Sequence, residues 1–151
     1  VGAGLITTFS DKSIISENRL TKIEKRHNLD TSSLLGCGVT TGIGIVENEL
    51  RATRDSAFLI AGVGGVGLST IIGAKMKSPS HIFALDLSDE KLVFANKIGS
   101  TYEINIKKEK NISGIINDVT AGLGIDYAID TTGNPVIIDK LLDVIKEKGS
   151  L

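Results

Sequence analysis

The chain has 151 residues, of which 41% are hydrophobic, so it is long enough to bury one sizeable core and one such domain is expected. Its formal net charge of -1 provides no basic surface for nucleic acid or for an anionic membrane. The single cysteine, Cys37, excludes a disulfide within the chain and favours a reducing, cytoplasmic compartment.

Residues 1–50 show no regular alternation of strands and helices. Leu5–Phe9 and Arg19–Ile23 are predicted as short strands, and a run of small residues follows from Leu34 to Gly44. This part is expected to belong to, or to lead towards, a domain other than the one that residues 51–151 form. The chain as a whole is expected to be a segment of a longer protein.

An uncharged stretch from Ser56 to Ala74 has the length of a membrane-spanning helix. Five glycines interrupt it, however, and its apolar residues fall into two separate blocks. Glycine clusters of this kind punctuate secondary structure, so the stretch predicts a buried strand over Ala57–Ala61 followed by a helix from Gly65 to about Lys77.

The remaining elements alternate in the same way. Further strands are predicted at His81–Asp86, Thr101–Asn105 and Asp126–Asp130. Helices are predicted from Ser88 to Gly99, from Asn111 to about Ala121, and from Asn134 to Lys148, with Pro135 at the first helical position and both Lys146 and Lys148 in the last turn before Gly149. This alternation predicts an α/β fold with a doubly wound parallel sheet, truncated at its C-terminal strands so that four complete strands and the start of a fifth are present.

The segment Gly62-Val63-Gly64-Gly65-Val66-Gly67 matches the pattern G-x-G-x-x-G between a predicted strand and a predicted helix. In this pattern the first glycine permits a tight turn, the second lets the backbone approach a pyrophosphate, and the third lets the helix pack closely on the sheet. Asp86 ends the next strand, about 20 residues after Gly67, where a carboxylate binds ribose hydroxyls and repels a 2′-phosphate. NAD is therefore favoured over NADP. Leu68-Ser69-Thr70 after Gly67 excludes a P-loop, which requires Gly-Lys-Ser/Thr.

Three segments in order resemble the zinc-containing medium-chain alcohol dehydrogenases, above all the class III and benzyl-alcohol-type members: Leu34–Gly42, Gly62–Leu68, and Ala84–Asp86 with Lys91. The resemblance implies a Rossmann-type domain at residues 51–151, with residues 1–50 as the tail of a GroES-like catalytic domain and a connecting helix. It also implies an enzyme in which zinc polarises an alcohol oxygen and hydride passes to the nicotinamide. The product would be an aldehyde formed from a primary alcohol, aromatic alcohols included.

The resemblance assigns roles to individual residues. Cys37 is the implied ligand of the catalytic zinc, whose other ligands would lie outside this chain, and Thr41 is implied beside the nicotinamide as a second catalytic residue. His27 and His81 do not occupy ligand positions of the family. The implied cofactor-binding residues are Thr41, Gly62, Val63, Gly64, Gly65, Val66, Asp86, Leu87, Lys91, Thr131 and Thr132.

Other functions share the glycine pattern. A non-catalytic dinucleotide-sensing module has no use for Cys37, and a zinc-free NADPH-dependent quinone or enoyl reductase is disfavoured by both Cys37 and Asp86. A methyltransferase is more distant, because its glycine loop is normally shorter. A small-molecule alcohol is the expected partner, without nucleic acid or membrane, in a homo-oligomer.

Overall fold

The structure, a computed structural model, describes residues 10–26 and 28–151. It contains one five-stranded parallel sheet in the order β3-β2-β1-β4-β5, flanked by helices, which confirms the predicted doubly wound α/β fold. The strands are β1 (Ala57–Ala61), β2 (His81–Asp86), β3 (Tyr102–Asn105), β4 (Ile125–Asp130) and β5 (Ile145–Ser150). The helices are α1 (Leu29–Ser32), α2 (Gly38–Gly44), α3 (Gly65–Met76), α4 (Asp89–Ile98), α5 (Ile112–Val119) and α6 (Pro135–Leu142).

The central strand β1 is buried along its whole length, as its uninterrupted apolar sequence predicts. Its side chains alternate between two cores. Phe58 and Ile60 pack with α3 and α4 on one face of the sheet, whereas Leu59 packs with α5 and α6 on the other. The uncharged stretch thus forms β1 and α3, as predicted. In the described part of the chain no single helix is long and apolar enough to cross a membrane, and a bent pair, Leu29–Gly36 with Gly38–Glu49, passes that test by length and composition only.

Helix α2 and the π-helical segment Ile45–Glu49 after it pack against the sheet domain. Val46 is fully buried in the same core as Phe58 and Ile71. A Cβ atom on Gly42 would come within 2.4 Å of the Val66 carbonyl oxygen, so α2 crosses α3 at close range. Residues 38–49 therefore share the core that residues 51–151 build.

Two predictions in the N-terminal part have different outcomes. The predicted strand at Leu5–Phe9 lies outside the described residues, as does His27. The predicted strand at Arg19–Ile23 is wrong, because Glu17–Arg19 forms a single 3₁₀ turn and the following residues are irregular. Leu20 and Ile23 remain exposed there, so this segment has no packed face that would hold it as a strand.

The prediction that the last helix runs to Lys148 is also wrong. Helix α6 ends at Leu142, and residues 145–150 form β5, which pairs with β4 through a register irregularity. The sheet therefore has a fifth strand of six residues, where only the start of one was predicted. The physical reason is the partner of Lys146, whose Nζ lies 2.9 Å from each carboxylate oxygen of Asp126 on β4 rather than near the carbonyls of a helix end.

At the amino edge of the sheet, Asp126 on β4 bonds to groups on both neighbouring strands, β1 and β5. Its Oδ2 accepts a hydrogen bond from the Ala57 amide at 2.8 Å, in addition to its contacts with Lys146. The Asp126 and Lys146 side chains are each 29% exposed, so this ion pair is shielded more than a surface pair.

Asp126→Ala is therefore expected to lower the free energy of unfolding by about 1–3 kcal/mol, because Lys146 and the Ala57 amide both lose a partner. Glu24→Ala, which removes the exposed pair with Arg26, is the control and should cost about 0–1 kcal/mol. Urea unfolding of both variants measures the difference. Equal losses of unfolding free energy in the two variants would contradict the stabilising role of Asp126.

Candidate functional site

The glycine-rich segment forms a tight turn between β1 and α3. Gly62 has a φ of +85°, a conformation that L side chains rarely adopt, and its amide donates to the Leu85 carbonyl oxygen at 2.8 Å. A Cβ on Gly67 would lie only 1.9 Å from the Gly62 carbonyl oxygen. The first and third glycines of the pattern are therefore required by the backbone itself.

The middle of the segment faces open space. A Cβ on Gly64 or on Gly65 would meet no other atom within 4 Å. Gly64 is the N-cap of the 12-residue helix α3, and the first amide that bonds back along this helix is that of Leu68, which donates to the Gly64 carbonyl oxygen at 2.9 Å. The preceding helical amides point out of the helix end, where the dipole favours an anion. The turn is thus an open cradle of free backbone N–H groups, the polarity that a diphosphate requires.

Asp86 stands at the end of β2 beside this cradle and is partly buried. Its Oδ2 accepts from the Val63 amide at 3.0 Å, and its Oδ1 accepts from the amides of Leu87 and Ser88 at 2.7 and 3.0 Å. A carboxylate has about four acceptor positions, so about one remains for a ligand hydroxyl. Asp86 therefore holds the glycine turn and the turn after β2 while it stays available for binding.

A cleft of about 250 Å³ opens at the carboxyl ends of the strands, where parallel α/β sheets bind their ligands. The predicted residues that line it are Gly62, Asp86, Leu87, Lys91 and Thr132. Ile106, Asn134 and Ile137 line it as well, and sequence reasoning did not single out any of these three for the site. Five of the predicted cofactor residues thus meet in one cleft, together with apolar walls.

The loop after β4 is fastened to the glycine turn. The Thr131 hydroxyl lies 3.0 Å from the Ala61 carbonyl oxygen and 2.7 Å from that of Gly62. Asp130 in turn accepts hydrogen bonds from the backbone and hydroxyl of Thr132 and from the Gly133 amide. Sequence reasoning missed the role of Asp130, although an aspartate directly before Thr-Thr-Gly is a turn signal that identifies it.

Cys37 and Thr41 are not among the residues that line the cleft. Cys37 is an exposed free thiol directly before α2, and its carbonyl oxygen accepts from the Thr41 amide at 2.8 Å. The described residues contain no group of three His, Cys, Asp or Glu side chains that could hold a metal ion. The His81 ring lies beside the rings of Phe83 and Tyr102, at centroid distances of 6.0 and 5.8 Å.

The family of this chain is identified by comparison with known protein families. A model described as zinc-binding dehydrogenase matches residues 65–151, more than half of the chain. The chain belongs to the zinc-binding dehydrogenase family. The predicted membership among the zinc-containing medium-chain alcohol dehydrogenases is thereby confirmed.

Individual relatives agree with this family assignment. The probable S-(hydroxymethyl)glutathione dehydrogenase 1 of Schizosaccharomyces pombe is 37% identical over 90% of this chain and 36% of its own length. The alcohol dehydrogenase class-2 isozyme 2 of Oryctolagus cuniculus is 34% identical over 91% of this chain and 36% of its own length. The crystal structure of benzyl alcohol dehydrogenase from Acinetobacter calcoaceticus superposes with a TM-score of 0.77 at 33% identity, over 86% of this chain and 36% of that one. The chain thus spans little more than a third of the length of these relatives.

Two glycine variants separate the structural from the ligand-binding part of the turn. Gly67→Ala is expected to destabilise the fold by about 2 kcal/mol or more, because its Cβ would overlap the Gly62 carbonyl oxygen. Gly64→Ala is expected to leave unfolding unchanged and to weaken dinucleotide binding, because its Cβ would occupy the open cradle. Thermal unfolding and calorimetric titration with NADH measure the two effects. An unaltered affinity of Gly64→Ala for NADH would contradict the assignment of the open turn at Gly64 as the diphosphate site.

Proposed function

We propose that this chain is the NAD(H)-binding part of a zinc-dependent alcohol dehydrogenase that oxidises a primary alcohol, aromatic alcohols included, to the aldehyde. One observation carries the proposal. Gly62 of the glycine-rich turn and the Asp86 carboxylate line a single cleft at the carboxyl ends of the strands, and the Val63 amide of the same turn donates to Asp86. A diphosphate and a ribose on the same ligand match this pair of groups.

The residues of this chain hold the dinucleotide rather than react with it. The amides at the start of α3 bind the diphosphate, and Asp86 accepts from an adenosine ribose hydroxyl. Lys91, which lines the same cleft, places a positive charge next to the ribose and diphosphate. Thr131 and Thr132 place the loop after β4 next to the cradle, on the side that we assign to the nicotinamide. When bound, the nicotinamide ring supplies the carbon that accepts hydride.

The described residues by themselves do not make a zinc site. A catalytic zinc requires three protein ligands, and within the described ranges the exposed Cys37 thiol stands alone. We assign Cys37 as one of these ligands and Thr41 as a residue beside the nicotinamide. The other ligands would then belong to a GroES-like catalytic domain, of which we assign residues 1–50 as the tail and connecting helix.

The named relatives support the class of reaction. Relatives are named as alcohol and S-(hydroxymethyl)glutathione dehydrogenases, and a structural neighbour as a benzyl alcohol dehydrogenase. A dehydrogenase of this kind fits the family better than a dinucleotide-sensing module does. A zinc-free NADPH reductase is disfavoured by the Asp86 carboxylate, which would repel a 2′-phosphate. We further propose a cytoplasmic homo-oligomer that acts on a small alcohol.

The cofactor preference follows from Asp86. The 151-residue chain is expected to bind NADH at least about tenfold more tightly than NADPH, a difference on the order of 1.4 kcal/mol. Asp86→Ala should narrow this ratio, because it removes both the hydroxyl acceptor and the repelling charge. Both affinities should also fall, since the Val63 and Leu87 amides lose their acceptor.

Calorimetric titration of both nucleotides measures the ratio. Asp118→Ala, which removes an exposed carboxylate from α5, is the matched control and should leave the ratio unchanged. Equal affinities of the unaltered chain for NADH and NADPH would refute the assignment of Asp86.

A further inference from the structure

Asn105 is a nearly buried amide at the carboxyl end of the edge strand β3, only 8% exposed. It pairs in register with Asp86 on β2. Its Oδ1 accepts from the Lys107 amide at 3.0 Å, while its Nδ2 lies 2.7 Å from the Asp89 Oδ1 and 3.4 Å from the Leu87 carbonyl oxygen. The side chain therefore bonds in both directions, as acceptor and as donor.

These bonds connect two segments that form the apolar walls of the cleft. Leu87, in the turn after β2, and Ile106, which follows β3, both line the cleft, and Leu87 is 51% exposed. Asp86 accepts a hydrogen bond from the Leu87 amide, whereas the Asn105 side chain donates one to the Leu87 carbonyl oxygen. The Ile106 amide donates to the Asp86 carbonyl oxygen at 3.1 Å, so Asn105 and Asp86 together fix the spacing of the two walls.

We infer that Asn105 is a positioning residue for the adenine end of the dinucleotide, because its bonds hold in place the two segments that carry Leu87 and Ile106, the apolar walls between which a flat base would lie. The inference rests on the proposed dinucleotide function. It concerns one end of the ligand, since the diphosphate cradle at Gly64 and Gly65 is built by the turn before α3 and has no bond to Asn105 among those of the described residues.

Only an amide meets the local requirements. The Lys107 amide requires an acceptor, whereas Asp89 and the Leu87 carbonyl oxygen require a donor. Asn105→Asp keeps the acceptor but sets a second carboxylate against Asp89. The pKa of Asp89 is lowered from its ordinary value by its bond to Lys108 and by its bond to Asn105, so Asp89 remains an anion there.

Further charged side chains surround position 105. Lys107 and Lys108 follow β3, and Lys97 and Glu103 line the neighbouring cavity together with Asp89 and Asn105. Asp86 lies on the adjacent strand. A carboxyl group introduced at position 105 therefore lies between Asp89 and these charged groups. It can donate a hydrogen bond to Asp89 only when it is protonated.

The test separates the two ends of the ligand. The 151-residue chain is titrated with adenosine and, separately, with inorganic pyrophosphate, each followed by NMR chemical shifts. Asn105→Ala is expected to weaken adenosine binding on the order of tenfold and to leave pyrophosphate binding within about twofold of the unaltered chain. An equal loss for both ligands, or no loss for adenosine, would overturn the inference.

Thr101→Val is the matched control for stability. The Thr101 hydroxyl joins the other end of β3 to β2 through the amide and carbonyl of Ile82, at 2.9 and 3.2 Å, far from the cleft. This variant should lose stability as Asn105→Ala does while it binds adenosine like the unaltered chain. A loss of adenosine affinity in Thr101→Val would assign the effect to the strand as a whole and overturn the role of Asn105.

The pH dependence of adenosine binding to Asn105→Asp tests the role of the side-chain donor within a single variant. Its adenosine affinity is expected to rise severalfold as the pH falls from about 8 to about 5, because protonation restores the donor towards Asp89, whereas the unaltered chain should show no such rise. A flat profile would overturn the inference. If the unaltered chain binds neither adenosine nor pyrophosphate, the proposed function fails and this inference with it; if it binds both and the Asn105 variants match it, the inference alone fails.

Discussion

The close approach of helix α3 to the turn after β1 is the constraint on which the candidate site depends. A side chain at position 67 would overlap the Gly62 carbonyl oxygen, with its Cβ only 1.9 Å away, so glycine is required for α3 to begin this close to the sheet. Gly42 makes a second close contact, between α2 and the first turns of α3, where an added Cβ would lie 2.4 Å from the Val66 carbonyl oxygen. With α3 held from both sides, its N-terminal amides open towards the carboxyl edge of the sheet, where an anion is stabilised by the helix dipole.

Polar side chains at the ends of three strands then shape the rest of the cleft. Asp86 at the end of β2, Asn105 at the end of β3 and Asp130 at the end of β4 each accept hydrogen bonds from backbone amides of the turn that follows, at distances of 2.7 to 3.2 Å. Because these bonds are made within the chain, the turns are set before any ligand arrives, and less ordering is needed on binding. Asp86 also reaches the glycine turn through the Val63 amide, which links the ribose end of the cleft to the diphosphate end.

The sheet and the cradle could be predicted because their signals are local: apolar runs of strand length, a glycine pattern and a strand-end acid. The end of the last helix could not be predicted because Lys146 and Lys148 resemble cations at a helix end, and only the distant Asp126 shows that Lys146 belongs to a strand. Asn105 was missed for a similar reason. A single asparagine after a strand carries no distinctive pattern, and its bonds to Leu87 and Asp89 become visible only when β2 and β3 lie side by side.

We propose that the carboxyl edge of this sheet binds a nicotinamide dinucleotide. The most direct measurement is a ¹H–¹⁵N NMR titration of the 151-residue chain with NAD⁺, which reports on each backbone amide separately. We expect the largest shift changes at Gly64, Gly65, Leu87 and Thr132, around the cradle and its cleft. Changes concentrated instead at the opposite edge, around His81 and Gly124, would contradict it.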